Sequence, residues 1–182
     1  VFDRLRLDAA QLRFGAGGHA DVAEDGRTFV AQFSLADIVA QPGGLLDAPV
    51  SLEGAAVDMR LTLGDRPRVE IAQAVVHDAD LRLTLRGMAE AREGGLALSL
   101  DASVPEVPVS RVLSLWPEGA AEGTRRWLSE NVQDGRARGV DLAIRAEPGT
   151  PLRRHLQMSL EGGVLTPLRD VSGHLELDGS RL

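Results

Sequence analysis

Apolar and polar residues alternate with period two in stretch after stretch of this chain, the pattern of strands with one dry and one wet face. It is clearest in Val57-Asp58-Met59-Arg60-Leu61-Thr62-Leu63, Leu81-Arg82-Leu83-Thr84-Leu85 and Leu96-Ala97-Leu98-Ser99-Leu100-Asp101. It returns in Val140-Asp141-Leu142-Ala143-Ile144-Arg145, Leu156-Gln157-Met158-Ser159-Leu160 and Leu175-Glu176-Leu177-Asp178. Phe29 to Val39 is a further long strand, and Leu5-Arg6-Leu7-Asp8 and Leu12-Arg13-Phe14 fall out of phase across Ala9-Ala10, which predicts a bulge or bend within one strand. Gly15 to Gly18, Glu24-Asp25-Gly26, Gly64-Asp65-Arg66-Pro67, Glu93-Gly94-Gly95 and Asp178-Gly179 read as hairpin turns, because Gly and Asp tolerate the backbone conformations of tight turns. Links this short leave no room for parallel crossovers, so the strands should run as an antiparallel meander.

One segment breaks the alternation and divides the chain into a strand-rich part over 1–104, a helical insert over 105–135 and a second strand-rich part over 136–182. Pro105 and Pro108 should end the preceding strand; Val109, Val112, Leu113 and Trp116 then follow at helical spacing until Pro117. A second helix is predicted from about Ala120 to Val132, with Trp127, Leu128 and Val132 on one side and Gln133-Asp134-Gly135 ending it. Trp116 and Trp127 are the only tryptophans, and burying each is worth roughly 2–3 kcal/mol, so both are expected to anchor the helical pair on the sheet. A weak repeat adds to the picture: Ser51-Leu52-Glu53-Gly54 recurs as Ser159-Leu160-Glu161-Gly162, and Val57 to Asp65 matches Val171 to Gly179, as in a sheet extended by repeated strand units.

Charge and composition narrow the chemistry. The 182 residues carry a formal charge of -7 with both signs interspersed and only 3% aromatics, which argues against a nucleic-acid surface. No apolar run approaches the ~18 residues that cross a bilayer, and the chain, which begins Val1-Phe2-Asp3 and stops in a strand-like run, reads as a piece of a longer protein. Cysteine is absent, so disulfides and thiolate metal sites are excluded. Of His19, His77, His155 and His174 none has helical zinc spacing; His77-Asp78-Ala79-Asp80 is the best local metal candidate, but two carboxylates are too few for a hard cation. Gly15-Ala16-Gly17-Gly18 lacks the Lys-Ser/Thr of a phosphate loop, and no Gly-x-Ser-x-Gly elbow occurs. Glu90 and Glu93 read as solvated turn charges, and Arg125-Arg126 as an exposed helix face paired to Glu122 and Glu130. The expectation is a protein without catalytic residues, metal or cofactor.

The insert carries a resemblance. Leu115-Trp116-Pro117, then Gly123-Thr124-Arg125-Arg126-Trp127-Leu128-Ser129-Glu130-Asn131-Val132 and Gly135-Arg136 leading into an alternating strand, resembles the central region of YhdP-type proteins of the AsmA-like superfamily. Ser159 to Gly162 and Leu168 to Leu175 are similar to that family's strand-Gly-strand units, and the likeness covers nearly the whole piece. The resemblance implies a large periplasmic protein anchored in the bacterial inner membrane by a segment absent from this piece. It implies a long curved antiparallel sheet with a greasy groove, continued at both ends by the rest of the chain, that moves phospholipid between inner and outer membranes and supports the outer-membrane barrier.

Residues and resemblance meet in the aliphatic face. Val57, Met59, Leu61, Leu63, Leu81, Leu83, Leu85, Leu96, Leu98, Leu100, Val140, Leu142, Ile144, Leu156, Met158 and Leu160 should line either an open groove for acyl chains or the core of a β-sandwich. Aliphatic side chains suit a hydrocarbon ligand, which needs only contact area, about 0.8 kcal/mol per methylene. The rivals are a structural or interaction β-domain without lipid and, further off, a hydrolase using His77, Asp78 and Asp80.

Overall fold

In a computed structural model the protein is described over residues 2–9, 11–41, 48–116, 121–132, 134–165 and 168–179. Strands account for 69% of it. β1 (Phe2–Ala9), β2 (Leu12–Val22), β3 (Thr28–Ala40), β4 (Val50–Thr62), β5 (Arg68–Asp78), β6 (Leu81–Arg92) and β7 (Gly95–Pro108) precede α1 (Val109–Ser114) and α2 (Glu122–Asn131). After the helices come β8 (Arg136–Ala146), β9 (Arg153–Leu165) and β10 (Leu168–Gly179). These ten strands join one open, curved, groove-like antiparallel sheet in sequential order, as expected of a meander; among the described residues there is no second sheet to make a sandwich.

Several turns fall where Gly and Asp predict them, with Gly26 (φ 64°) and Gly94 (φ 84°) in the left-handed region. At the β2–β3 turn the Asp25 carboxylate accepts hydrogen bonds from Thr28 Oγ1 at 2.7 Å and from the Arg27 and Thr28 amides, each at 2.8 Å. These donors, the Thr28 hydroxyl foremost, hold the carboxyl below the usual carboxylate range. The turn's contribution is therefore complete above the ordinary carboxylate pKa and is lost as pH falls through the lowered one. An NMR titration should show the Thr28 amide shift moving with that low-pH step, and Asp25→Asn should abolish the step.

Four expectations are corrected. Gly15 to Gly18 is no turn but the middle of β2: a Cβ on Gly18 would lie 2.1 Å from the Gln32 carbonyl oxygen, so glycine there permits close approach to β3. The phase change at Ala9 is a hairpin rather than a bulge, since Ala9 pairs with Leu12; Ala10 lies outside the described residues. Asp178-Gly179 ends β10, pairing with His155 and Arg154. Pro105 does not end β7, which continues to Pro108 paired with β8; the pairing with β6 runs only as far as Ser103, so the proline sits where β7 has become an edge.

β5 is a strand that the alternation does not predict. One extra residue between Ile71 and Ala74 shifts its register against both neighbours and breaks the period-two pattern while keeping Val69, Ile71, Ala74 and Val76 on one face.

The insert leaves the sheet at Pro108 and returns at Arg136, residues that pair with each other, and the Val109 amide donates to the Gly135 carbonyl at 2.9 Å. Beyond α2 the left-handed residue is Asp134 (φ 56°), not Gly135, which is buried; Pro117, Ala120 and Gln133 lie outside the described residues. Beneath the helices sits the core: Leu81, Val104, Val107, Trp116, Leu128, Ala137 and Met158, with Leu52, Leu83, Val140, Leu156 and Leu160 packed around it. Leu52 and Leu160, equivalent positions of the short repeat, thus serve the same core.

Trp116 is buried at 4% exposure, as expected of an anchor, but Trp127 is 49% exposed. Leu128, 1% exposed, plugs α2 into the core instead. The two positions differ by about 100° around the helix, and only one of them points at the sheet.

Candidate functional groove

Strand register converts the aliphatic pattern into continuous rows, because directly paired residues project to the same side. The central row is Gly18, Phe33, Val57, Ala74, Leu85, Ala102, Leu142, Leu156 and Leu177, running from β2 to β10. Alongside it, away from the helices, runs Ala20, Ala31, Met59, Ile71, Gly87, Leu100, Ile144, Arg154 and Gly179. The next row is Val22, Phe29, Leu61, Val69, Ala89, Leu98 and Ala146. Toward the helices lie Leu5, Ala16, Leu35, Ala55, Val76 and Leu83, with Val104 and Val140 paired beyond them.

Of the residues expected on this face, Leu81, Leu83, Val140, Leu156, Met158 and Leu160 meet the helical insert, with Leu81 and Met158 fully buried. Val57, Met59, Leu61, Leu85, Leu98, Leu100, Leu142 and Ile144 line the face away from the core cluster and stay half-buried. Leu63 lies past the end of β4 at 46% exposure, and Leu96, paired with Ala91, is 55% exposed at the far rim. Sequence reasoning missed Phe29, Phe33, Val69, Ile71 and Arg154 as members of the same rows.

The opposite face is charged. Arg145 pairs with Asp101 at 2.6 Å, Arg138 with Glu161 at 2.7 Å and with Glu106 at 3.2 Å, and Arg92 with Glu90 at 2.8 Å and Glu147 at 2.6 Å. Glu90 is thus ion-paired and not merely solvated. A shallow cleft of about 290 Å³ is lined in part by Thr84, Arg86, Asp101, Ser103, Asp141 and His155. Its acids already have partners: Asp101 in Arg145, Asp141 in the Gln157 side-chain amide at 3.3 Å.

The helices cover one rim of the groove, and a guanidinium ties them there. Arg111 on α1 pairs with Asp78 at the end of β5, lies 3.7 Å from Asp80, and donates to the Ser51 carbonyl of β4 at 3.3 Å. Asp78 and Asp80 do come together, but around this cation; any metal there would have to displace it. His77, paired with Gly54, projects to the other side of β5 from Asp78. Among the described residues no three His, Cys, Asp or Glu side chains are grouped to hold a metal, and no helix is long and apolar enough to cross a membrane.

Searches with the chain match no protein-family model, no curated protein and no solved structure.

Proposed function

We propose that this chain is a non-enzymatic segment of a bridge-like periplasmic lipid carrier, holding phospholipid acyl chains against its apolar face. The parent protein on this reading is anchored in the inner membrane, continues the sheet at both ends, carries phospholipid between the two membranes and sustains the outer-membrane barrier. The observation that carries the proposal is the apolar face itself: rows of aliphatic and aromatic side chains cross the sheet, half-buried, with the helices over one rim alone. Such a face is costly in water and suited to hydrocarbon, which asks for area and not for fixed polar contacts. The resemblance of the insert to the AsmA-like proteins supports the same reading.

A photocrosslinking residue at Met59 should capture phospholipid in cells, whereas the same residue at Asp58, on the charged face, should not. Native mass spectrometry of the purified protein should find phospholipid bound. Lipid-free protein with equal, weak labelling at both positions would favour the structural or interaction β-domain.

A further inference from the structure

One residue on the groove face breaks its chemistry. Arg154 is paired with Ile144 in the row that begins at Ala20 and runs through Met59, Ile71 and Leu100; across the three rows of the open face it is the charged member among the described residues. Its side chain is half-buried, its Nη2 atom is sealed from solvent, and no described residue accepts a hydrogen bond from that atom. Its backbone neighbour on the other side is Gly179. A guanidinium cannot shed its proton, and a sealed guanidinium nitrogen without an acceptor is destabilising, so such groups ordinarily come with an anion.

We propose that Arg154 anchors the phosphate of a phospholipid whose acyl chain lies along the Ile144, Leu100, Ile71 and Met59 row. The inference rests on the carrier reading above and adds a fixed head-group position to it. From β9 to β4 the row spans five strand spacings, roughly 24 Å at about 4.8 Å each, an unbroken apolar track of long-acyl-chain dimensions. At its end the half-buried Arg154 supplies a cationic guanidinium, the group whose N–H donors suit phosphate oxygens. Lipids along the groove would then share one polarity, with phosphates gathered near β9 and tails directed toward β4.

The test uses two ligands that differ only in phosphate, lauroyl lysophosphatidic acid and monolaurin, titrated calorimetrically below micelle formation into the wild type, Arg154→Met and Arg154→Lys. The wild type should bind the phosphate-bearing lipid about tenfold more tightly, the value of a charge-assisted hydrogen bond. Arg154→Met should erase that preference, and Arg154→Lys should keep part of it. Without ligand, Arg154→Met should melt about 2–4 °C higher, because a guanidinium with an unsatisfied sealed nitrogen has been replaced by an apolar chain. A preference that survives in Arg154→Met, or a lower melting point for that variant, would overturn the anchor and leave the carrier reading intact. Displacement of the lipid by glycerol 3-phosphate alone would make Arg154 a site for small phosphates, against the proposal. Binding of neither lipid would remove the carrier reading and the anchor together.

Discussion

Trp116→Ala is expected to destabilise the protein by about 3–5 kcal/mol, and Trp127→Ala by less than about 1 kcal/mol. The indole of Trp116, 4% exposed, fills the core between the helices and strands β6 to β9, so truncation leaves a cavity that Leu81, Val104 and Met158 cannot close without moving. Trp127 is half exposed and fills no such space. Leu128→Ala should fall near the Trp116 variant, at about 2–5 kcal/mol. Equilibrium denaturation of the three variants checks the order. A cost for Trp127 equal to that of Trp116 would mean that both tryptophans anchor the insert, as the sequence pattern alone implies.

Arg111→Ala carries the second large effect, about 1–3 kcal/mol: below the figure for a fully buried pair, since the Arg111 and Asp78 side chains retain 19% and 18% exposure. Loss of the guanidinium strands Asp78 beside Asp80 and frees the Ser51 carbonyl, so like charges repel where a cation had joined β4, β5 and the β5–β6 turn to α1. Asp78→Ala should cost less, because Arg111 keeps Asp80 and Ser51. The double variant should cost less than the sum of the two, with a coupling of about 1 kcal/mol or more in a double-mutant cycle. Hydrogen exchange should rise first in α1, because the tether is lost while the strand ladder stays intact. Strict additivity would show that Arg111 and Asp78 are not coupled.

Much of this architecture is written in period-two alternation, and what was hidden was hidden for physical reasons. β4, β6, β7, β8 and β9 are recognisable because one face of each is aliphatic; β5 escapes because its extra residue between Ile71 and Ala74 scrambles the period although the face is preserved. Gly15 to Gly18 imitates a turn, since the property that lets glycine turn, its missing Cβ, also lets β2 press against β3. Trp127 and Leu128 are adjacent in sequence, and only the tilt of α2 on the sheet decides which of them is inward. Arg154 was legible in principle: it stands two residues before Leu156, in phase with Leu156 and Met158, but a strand traced by its apolar residues starts one step too late to include it.

The sequential order of the strands also governs how the chain becomes a sheet. Every strand from β2 onward pairs with the one just before it, so the loops closed during folding are hairpins, except for the single excursion through the helices between β7 and β8. Loop-closure entropy is then met in small instalments, and contacts stay local for a protein so rich in strand. The growing edge is always the most recently formed strand. A chain delivered from its N-terminus can therefore zip up in the order in which it emerges, and no early strand waits exposed for a partner synthesised long after it.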